Sequence, residues 1–221
     1  MVFAALIFVA AAFPSWAQKS SPDRTSWFAQ GSILVFLENN ALAGDLMPIL
    51  PSLGFGFSFP FASTLRFEPT LDLYSTYYGF SDDLNRPVPL ANQNRVAQVT
   101  GILFGFQVVK PFALTPKTTI RTYGGLATDI RIVSVASGVN EKRISLEEAD
   151  RQTSLVREYF WGQGRWLVPL TGMGMDFTLN TGLRIGFDIR VWMPAYRLWT
   201  GEKLPTVEGW RFGVGLRINF D

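Results

Sequence analysis

Residues 210–220 leave the backbone one option. Every second residue there is apolar (Trp210, Phe212, Val214, Leu216, Ile218, Phe220), and Arg211, Gly213, Gly215, Arg217 and Asn219 stand between them. Side chains of a strand alternate between faces, so this is a strand with one apolar face and one polar, glycine-rich face. At the helical period the arginines would scatter around the axis. The preceding stretch repeats the pattern, with Leu183, Ile185, Phe187, Ile189, Val191 and Met193 set against Arg184, Gly186, Asp188 and Arg190.

Six further strands are predicted over 27–37, 49–59, 65–77, 96–109, 118–135 and 165–179. In the last of these the apolar set changes phase near Thr171-Gly172, from Trp166, Val168 and Leu170 to Met173, Met175 and Phe177, which implies a bulge. The segment 79–95 reads as a long polar loop. The connections alternate long and short, as in repeated hairpins, and the simplest closure is an eight-stranded up-and-down antiparallel barrel, which leaves no edge exposed. Pro69, Pro169 and Pro194 fall where such a ring offers no edge to shelter them.

Alternation alone does not say which face is wet. All five lysines (Lys19, Lys110, Lys117, Lys142, Lys203) are read in loops, turns or the lead-in. A water-facing sheet would use Lys freely. The polar face carries instead Arg66, Arg121, Arg131, Arg184, Arg190, Arg211 and Arg217 with Glu68, Asp72, Asp129, Asp176 and Asp188. Guanidinium is the cation best suited to enclosure with carboxylates, and the glycines on the same face fit a crowded lumen. Tyr77, Tyr78, Trp161, Trp166, Tyr196, Trp199 and Trp210 fall beside the long loops, and Phe59, Phe61, Phe112, Phe177 and Phe220 at the short-turn end. Two aromatic belts around an apolar band fit a transmembrane barrel with its charges inside. A soluble lipocalin-like barrel with the apolar face inside is the distant alternative.

The run from Val2 to Phe13, closed by Pro14, Ser15, Trp16 and Ala17, is too short to span a bilayer and reads as a secretory signal peptide over 1–17, although no Lys or Arg precedes it. A lead-in over 18–26 and a single barrel domain over 27–221 follow. With no His and no Cys, ordinary zinc sites and His-activated nucleophiles are excluded by inventory. A net charge of +2 gives no nucleic-acid footprint. No catalytic, metal or cofactor-binding residue is assigned, and no enzyme is expected. The lumenal charges read as a structural salt-bridge core rather than a proton path or hydrolytic pair, because about eight strands enclose a space that side chains fill. In the longest connection, Ser145-Leu-Glu-Glu148 has the capping-box pattern. Leu146, Ala149, Thr153, Val156 and Phe160 follow at helical spacing, so a short helix over 145–160 could lie on the barrel mouth or on the lipid surface; the alternative is a mobile loop.

As pattern, 27–220 resembles the small eight-stranded bacterial outer-membrane barrels, the group of OmpX, the OmpA membrane domain, OmpW and the opacity-like proteins. The resemblance is most specific in 210–220. It implies residence in the cell outer membrane among its lipids, a periplasmic lead-in, long loops outside, and a terminal aromatic, Phe220, read by the barrel-assembly machinery. The chain departs from that pattern by one residue, Asp221. Two functions stay open: a surface scaffold or adhesin whose loops meet host or extracellular ligands, and a narrow OmpW-like conduit for small apolar solutes.

Overall fold

The computed structural model describes residues 25–37, 49–90, 95–179, 183–200 and 209–220. The signal peptide expected over 1–17, the expected lead-in up to residue 24, the expected turn at 180–182 and Asp221 lie outside the described residues. The strands are β1 Ser26–Phe36, β2 Ile49–Ala62, β3 Leu65–Ser81, β4 Arg86–Pro89, β5 Ala97–Thr115, β6 Thr118–Val135, β7 Leu167–Thr178, β8 Arg184–Trp192 and β9 Arg211–Phe220. Eight of them form a closed antiparallel ring in the order β2-β1-β9-β8-β7-β6-β5-β3, with β3 pairing back onto β2. The first and last strands meet in a continuous ladder from Trp27↔Phe220 to Phe36↔Arg211. At its turn end the Trp27 and Phe220 rings stack 4.0 Å apart.

The ninth strand is an addition to the ring. β3 runs on to Ser81, turns through 82–85 and returns as β4, pairing Tyr78↔Pro89 to Ser81↔Arg86. Part of the segment read as a polar loop is therefore a hairpin arm. Backbone pairing there needs no alternation of side chains, and Asn85 supplies the positive φ of 48° that the turn requires.

The apolar strand face points outward. Leu53 is 73% exposed, Ile132 57%, Met173 53% and Leu216 64%, and comparable residues continue around the ring. A soluble monomer does not carry such a belt, whereas hydrocarbon requires it. The lipocalin-like orientation is thereby overturned. Among the described residues no helix is long and apolar enough to cross a membrane; the crossing is made by strands. Lys110, read as a turn residue, lies within β5. It faces outward near the turn end with its ammonium 5.3 Å from the Phe112 ring, and its long stem lets the charge reach the interface.

No bulge interrupts β7. Its ladders to β6 and β8 keep register throughout. Val168 and Leu170 are buried on the same inward face as Asp176, while Met173 and Phe177 face out. The apparent change of phase arises because two inward positions are apolar. The prolines have separate solutions. Around Pro69 the β2–β3 ladder skips from Gly56↔Thr70 to Phe59↔Phe67, and the Arg66 guanidinium donates to the carbonyl of Ser58 at 2.9 Å. Pro169 lies where the β7–β8 ladder ends, and Pro194 falls beyond β8.

β3, β5 and β6 are the longest strands, at 17, 19 and 18 residues against 10 for β9, and their ends stand above the mouth as a wall. Against its inner side lies α1, Leu146–Trp161, whose Ser145 hydroxyl accepts the N–H of Glu148. Ala149, Thr153, Val156 and Phe160 are buried, and Val156 and Phe160 pack on Tyr78, Ala97, Val99 and Val133. Leu146 is exposed. The helix thus lies across the mouth rather than on the lipid surface. Arg151 ties it to the β3–β4 turn through Asp82 at 3.2 Å and to Glu148 at 2.7 Å.

Two outcomes are expected. A methyl group on Gly125 would meet the Phe106 carbonyl oxygen and the Gln107 Cα, both backbone, whereas one on Gly31 meets nothing within 4 Å. Gly125→Ala should lower stability in urea unfolding from lipid vesicles by about 1–3 kcal/mol, and Gly31→Ala by less than about 0.5 kcal/mol. Equal effects would contradict the register. At Glu148, the hydrogen bonds from Arg151 and then Gln152 hold the carboxyl at about 2 instead of 4.5. A depressed carboxyl stabilises above its unfolded value, and that contribution disappears as pH falls through the folded one. The first turn of α1 should therefore hold to about pH 4.5 and loosen towards about 2. A side-chain carboxyl titration by NMR checks this; an ordinary value would break the pairing.

Candidate functional site

Strand parity delivers the charged side chains to the lumen, where they form four clusters. Nearest the turn end, Glu68 accepts both Arg217 Nη atoms (3.0 and 3.1 Å), the Ser58 hydroxyl (2.7 Å) and Gln107 Nε2 (3.2 Å). Arg66 reaches this cluster through the Ser58 hydroxyl at 2.6 Å. In the second, Arg121 bridges Asp176 at 2.8 Å and Asp188 at 3.0 Å, and the Tyr123 hydroxyl donates to Asp188 at 3.0 Å. In the third, Arg190 is bidentate on Asp72 (2.6 and 3.1 Å) and also donates to Ser32, while Gln30 donates to Asp72 at 2.6 Å. Nearest the mouth, Asp129 takes Arg131 at 2.6 Å, Arg211 at 2.5 Å and the Tyr74 hydroxyl at 2.9 Å. Arg184 is half-buried at the turn-end rim, opposite Thr178 and Asn219.

The choice of Arg over Lys has a visible cause. Arg217 lies 3.4 Å over the Phe28 ring, Arg190 5.1 Å over Trp192, Arg211 4.8 Å over Phe36 and Arg131 3.9 Å over Phe160. A planar guanidinium can stack on a ring and bond a carboxylate in its own plane; an ammonium cannot.

Between the Asp72–Arg190 and Asp129–Arg211 clusters the lumen is apolar. One inward step toward the mouth from Ser32 on β1 is Leu34, then Phe36; from Arg190 on β8 it is Trp192. On β6, Ala127 is the inward residue just before Asp129. These meet Leu50, Leu103, Val168 and Leu170 in one buried cluster. The space bounded by Asp72, Leu103, Leu170 and Trp192 has no room for a water molecule. This layer escaped the sequence reading, which assigned Val168 and Leu170 to the outer face; counting in twos from Asp176 and Asp188 would have found it.

The aromatic residues near the loops divide. Trp161, Trp166 and Trp199 are exposed, and Tyr77, Tyr196 and Trp210 half-exposed. Tyr78 does not belong to an outer belt. It is 1% exposed, turned inward by its parity with Tyr74 and Thr76, and packed edge-on against Phe160 of α1 at 5.0 Å. Trp199 is held by its indole N–H on the Gln163 carbonyl at 2.7 Å.

No protein-family model and no curated protein matches the chain. Solved structures do. The outer membrane protein OprG from Pseudomonas aeruginosa superposes with a TM-score of 0.52 at 12% identity, over 91% of this chain and 98% of that one. Neisserial surface protein A gives 0.46 at 12% identity over 92% and 100%. Ail, the attachment invasion locus protein of Yersinia pestis, gives 0.43 at 7% identity over 89% and 97%. At these identities the likeness is one of fold. The chain has the fold of a small eight-stranded outer-membrane β-barrel.

Glu68 is 1% exposed and is the carboxylate on which Arg217 is bidentate. Glu68→Ala should therefore cost about 3–5 kcal/mol in urea unfolding, by stranding a buried cation. Replacing Glu68 and Arg217 together by Met should recover most of the loss. A single replacement costing nothing would remove the pairing from the list of stabilising contacts.

Proposed function

We propose that the chain is an integral outer-membrane protein whose sealed barrel is a rigid scaffold, holding α1 and the long connections out of the membrane to meet ligands outside the cell. The observation that carries this reading is the filled lumen, in which paired charges and an apolar layer follow one another along the axis. The outward apolar belt is the surface for lipid. On this reading the segment 1–17 is the signal peptide removed on export. Phe220, stacked on Trp27 where the ring closes, is the feature offered to the barrel-assembly machinery. The buried carboxylates each sit against a guanidinium, which supports a structural role for them and gives no ground for a catalytic one.

The second reading, a conduit for small apolar solutes, has the apolar layer in its favour. It requires that layer to part, since the space bounded by Asp72, Leu103, Leu170 and Trp192 has no room for a water molecule. The purified protein should remain in the membrane after alkaline washing. In planar bilayers it should give no conductance or only brief small events; steady large steps would refute the sealed lumen. Uptake of an apolar solute into vesicles carrying the protein would favour the conduit.

A further inference from the structure

α1 is held against the wall by side chains. Ala149, Thr153, Val156 and Phe160 are buried. The Gln152 side-chain oxygen accepts the N–H of Phe80 at 3.3 Å, and Arg157 donates to the carbonyl of Val133 at 3.2 Å. The strands of the ring are held instead by continuous backbone ladders. An element attached through a few side chains opens at a lower free energy than one woven into a ladder. Turns lie on both sides of the helix, with positive φ at Gly138 (84°) before it and at Gln163 (56°) and Gly164 (72°) after it. These are the places where the chain can change direction.

The buried end of α1 is linked to the lumen by a short series of contacts. The Phe160 ring lies 3.9 Å from the Arg131 guanidinium, and Arg131 holds Asp129 at 2.6 Å. Asp129 also accepts the Tyr74 hydroxyl at 2.9 Å. The Tyr74 ring meets Phe36 edge-on at 5.2 Å, and both belong to the apolar layer with Leu34, Leu103 and Trp192. Arg211 makes a second link, bonding Asp129 while lying 4.8 Å over Phe36. Asp129 thus stands between the helix and the layer. Withdrawing Phe160 removes the ring that fixes the plane of Arg131. A shift of that guanidinium disturbs the hydrogen bonds at a fully buried carboxylate, and the Tyr74 hydroxyl depends on the same carboxylate for its partner.

We propose that α1 is a latch on the apolar layer: docked on the wall it keeps Tyr74 and the layer closed, and undocked it lets the layer loosen. The change is between two discrete arrangements, because close-packed side chains and their buried hydrogen bonds switch rather than deform continuously. Coupling of this kind is reciprocal, so whatever parts the layer also favours the undocked helix. The latch goes beyond the scaffold reading and does not depend on what the loops meet outside the cell.

The test uses the full folded chain in bilayer discs, with amide hydrogen exchange reporting α1 and a fluorotryptophan NMR signal at Trp192 reporting the layer, assigned through Trp192→Phe. The α1 amides should exchange together and well before those of the β1–β9 ladder. Phe160→Ala should raise the α1 rates by about a hundredfold, the loss of a buried ring, and should shift or broaden the Trp192 signal. Val156→Ala, which weakens docking on the wall without removing the Arg131 stacking partner, should move both readouts in the same direction by less. Leu146→Ala, at the exposed start of the helix, should move neither. Tyr74→Phe keeps the ring and removes the hydroxyl, so in a double-mutant cycle with Phe160→Ala it should shrink the Trp192 response while leaving the α1 rates fast. Exchange of α1 only together with the barrel strands would overturn the latch, as would a Trp192 signal indifferent to Phe160→Ala and Val156→Ala. A response unchanged by Tyr74→Phe would overturn the route through Asp129. Failure here leaves membrane insertion standing, since that is read by alkaline washing.

Discussion

The closing of the ring between β3 and β2, with β1 joined to β9, is the constraint on which the remaining structure rests. In hydrocarbon there is no water to receive an unpaired N–H or C=O, and each such group costs several kcal/mol, so a spanning sheet must close. Closure at eight strands then dictates a narrow interior that has to be filled by side chains. Where Pro69 cannot donate, the ladder between β2 and β3 is skipped, and Arg66 turns to the Ser58 carbonyl. The defect in the wall is met from inside the lumen.

The filling follows an electrostatic and a steric rule together. A buried carboxylate is tolerable only with a close partner, and a buried pair only if its remaining donors and acceptors are used. Here Glu68, Asp72, Asp129, Asp176 and Asp188 each hold a guanidinium, and amides, hydroxyls and aromatic rings take up much of what is left. Glycines opposite these bulky groups make the room: the place where a Gly101 side chain would stand is occupied by the Tyr74 ring, and that of Gly172 by Tyr123. The apolar layer above Asp72 separates the Asp72–Arg190 cluster from the Asp129–Arg211 cluster along the axis.

The mouth is built on a different principle from the barrel. There β3 runs on past its pairing with β2 and β6 past its pairing with β7, with β5 held between them, and their inward face would be an open apolar wall. α1 covers it with Val156 and Phe160. By covering the wall the helix also carries Tyr159 and Phe160 to Arg165 and Arg131, so a single packing event both shields apolar surface and orients cations.

Much of this was legible in the residues alone. Period-two alternation with Arg and Asp on one face and Phe, Leu and Ile on the other determined the strands, their hairpin order and, through the scarcity of Lys, which face is inside. Ser145 and the spacing of Ala149, Thr153, Val156 and Phe160 offered a helix over 145–160 beside the alternative of a mobile loop, and the structure has the helix. These are local signals, carried by neighbours in the chain. What only the tertiary structure decided depends on residues distant in sequence. Val168, Leu170 and Trp192 became a lumenal layer and Tyr78 a bed for a helix because parity must be counted along each strand from a charged residue and then matched across the ring. Arg86 stood in a segment read as a loop, Arg165 at the first residue of a predicted strand and Arg197 beyond the last alternating residue, Met193, and only the folding of five separate segments over one mouth set them around a common cavity.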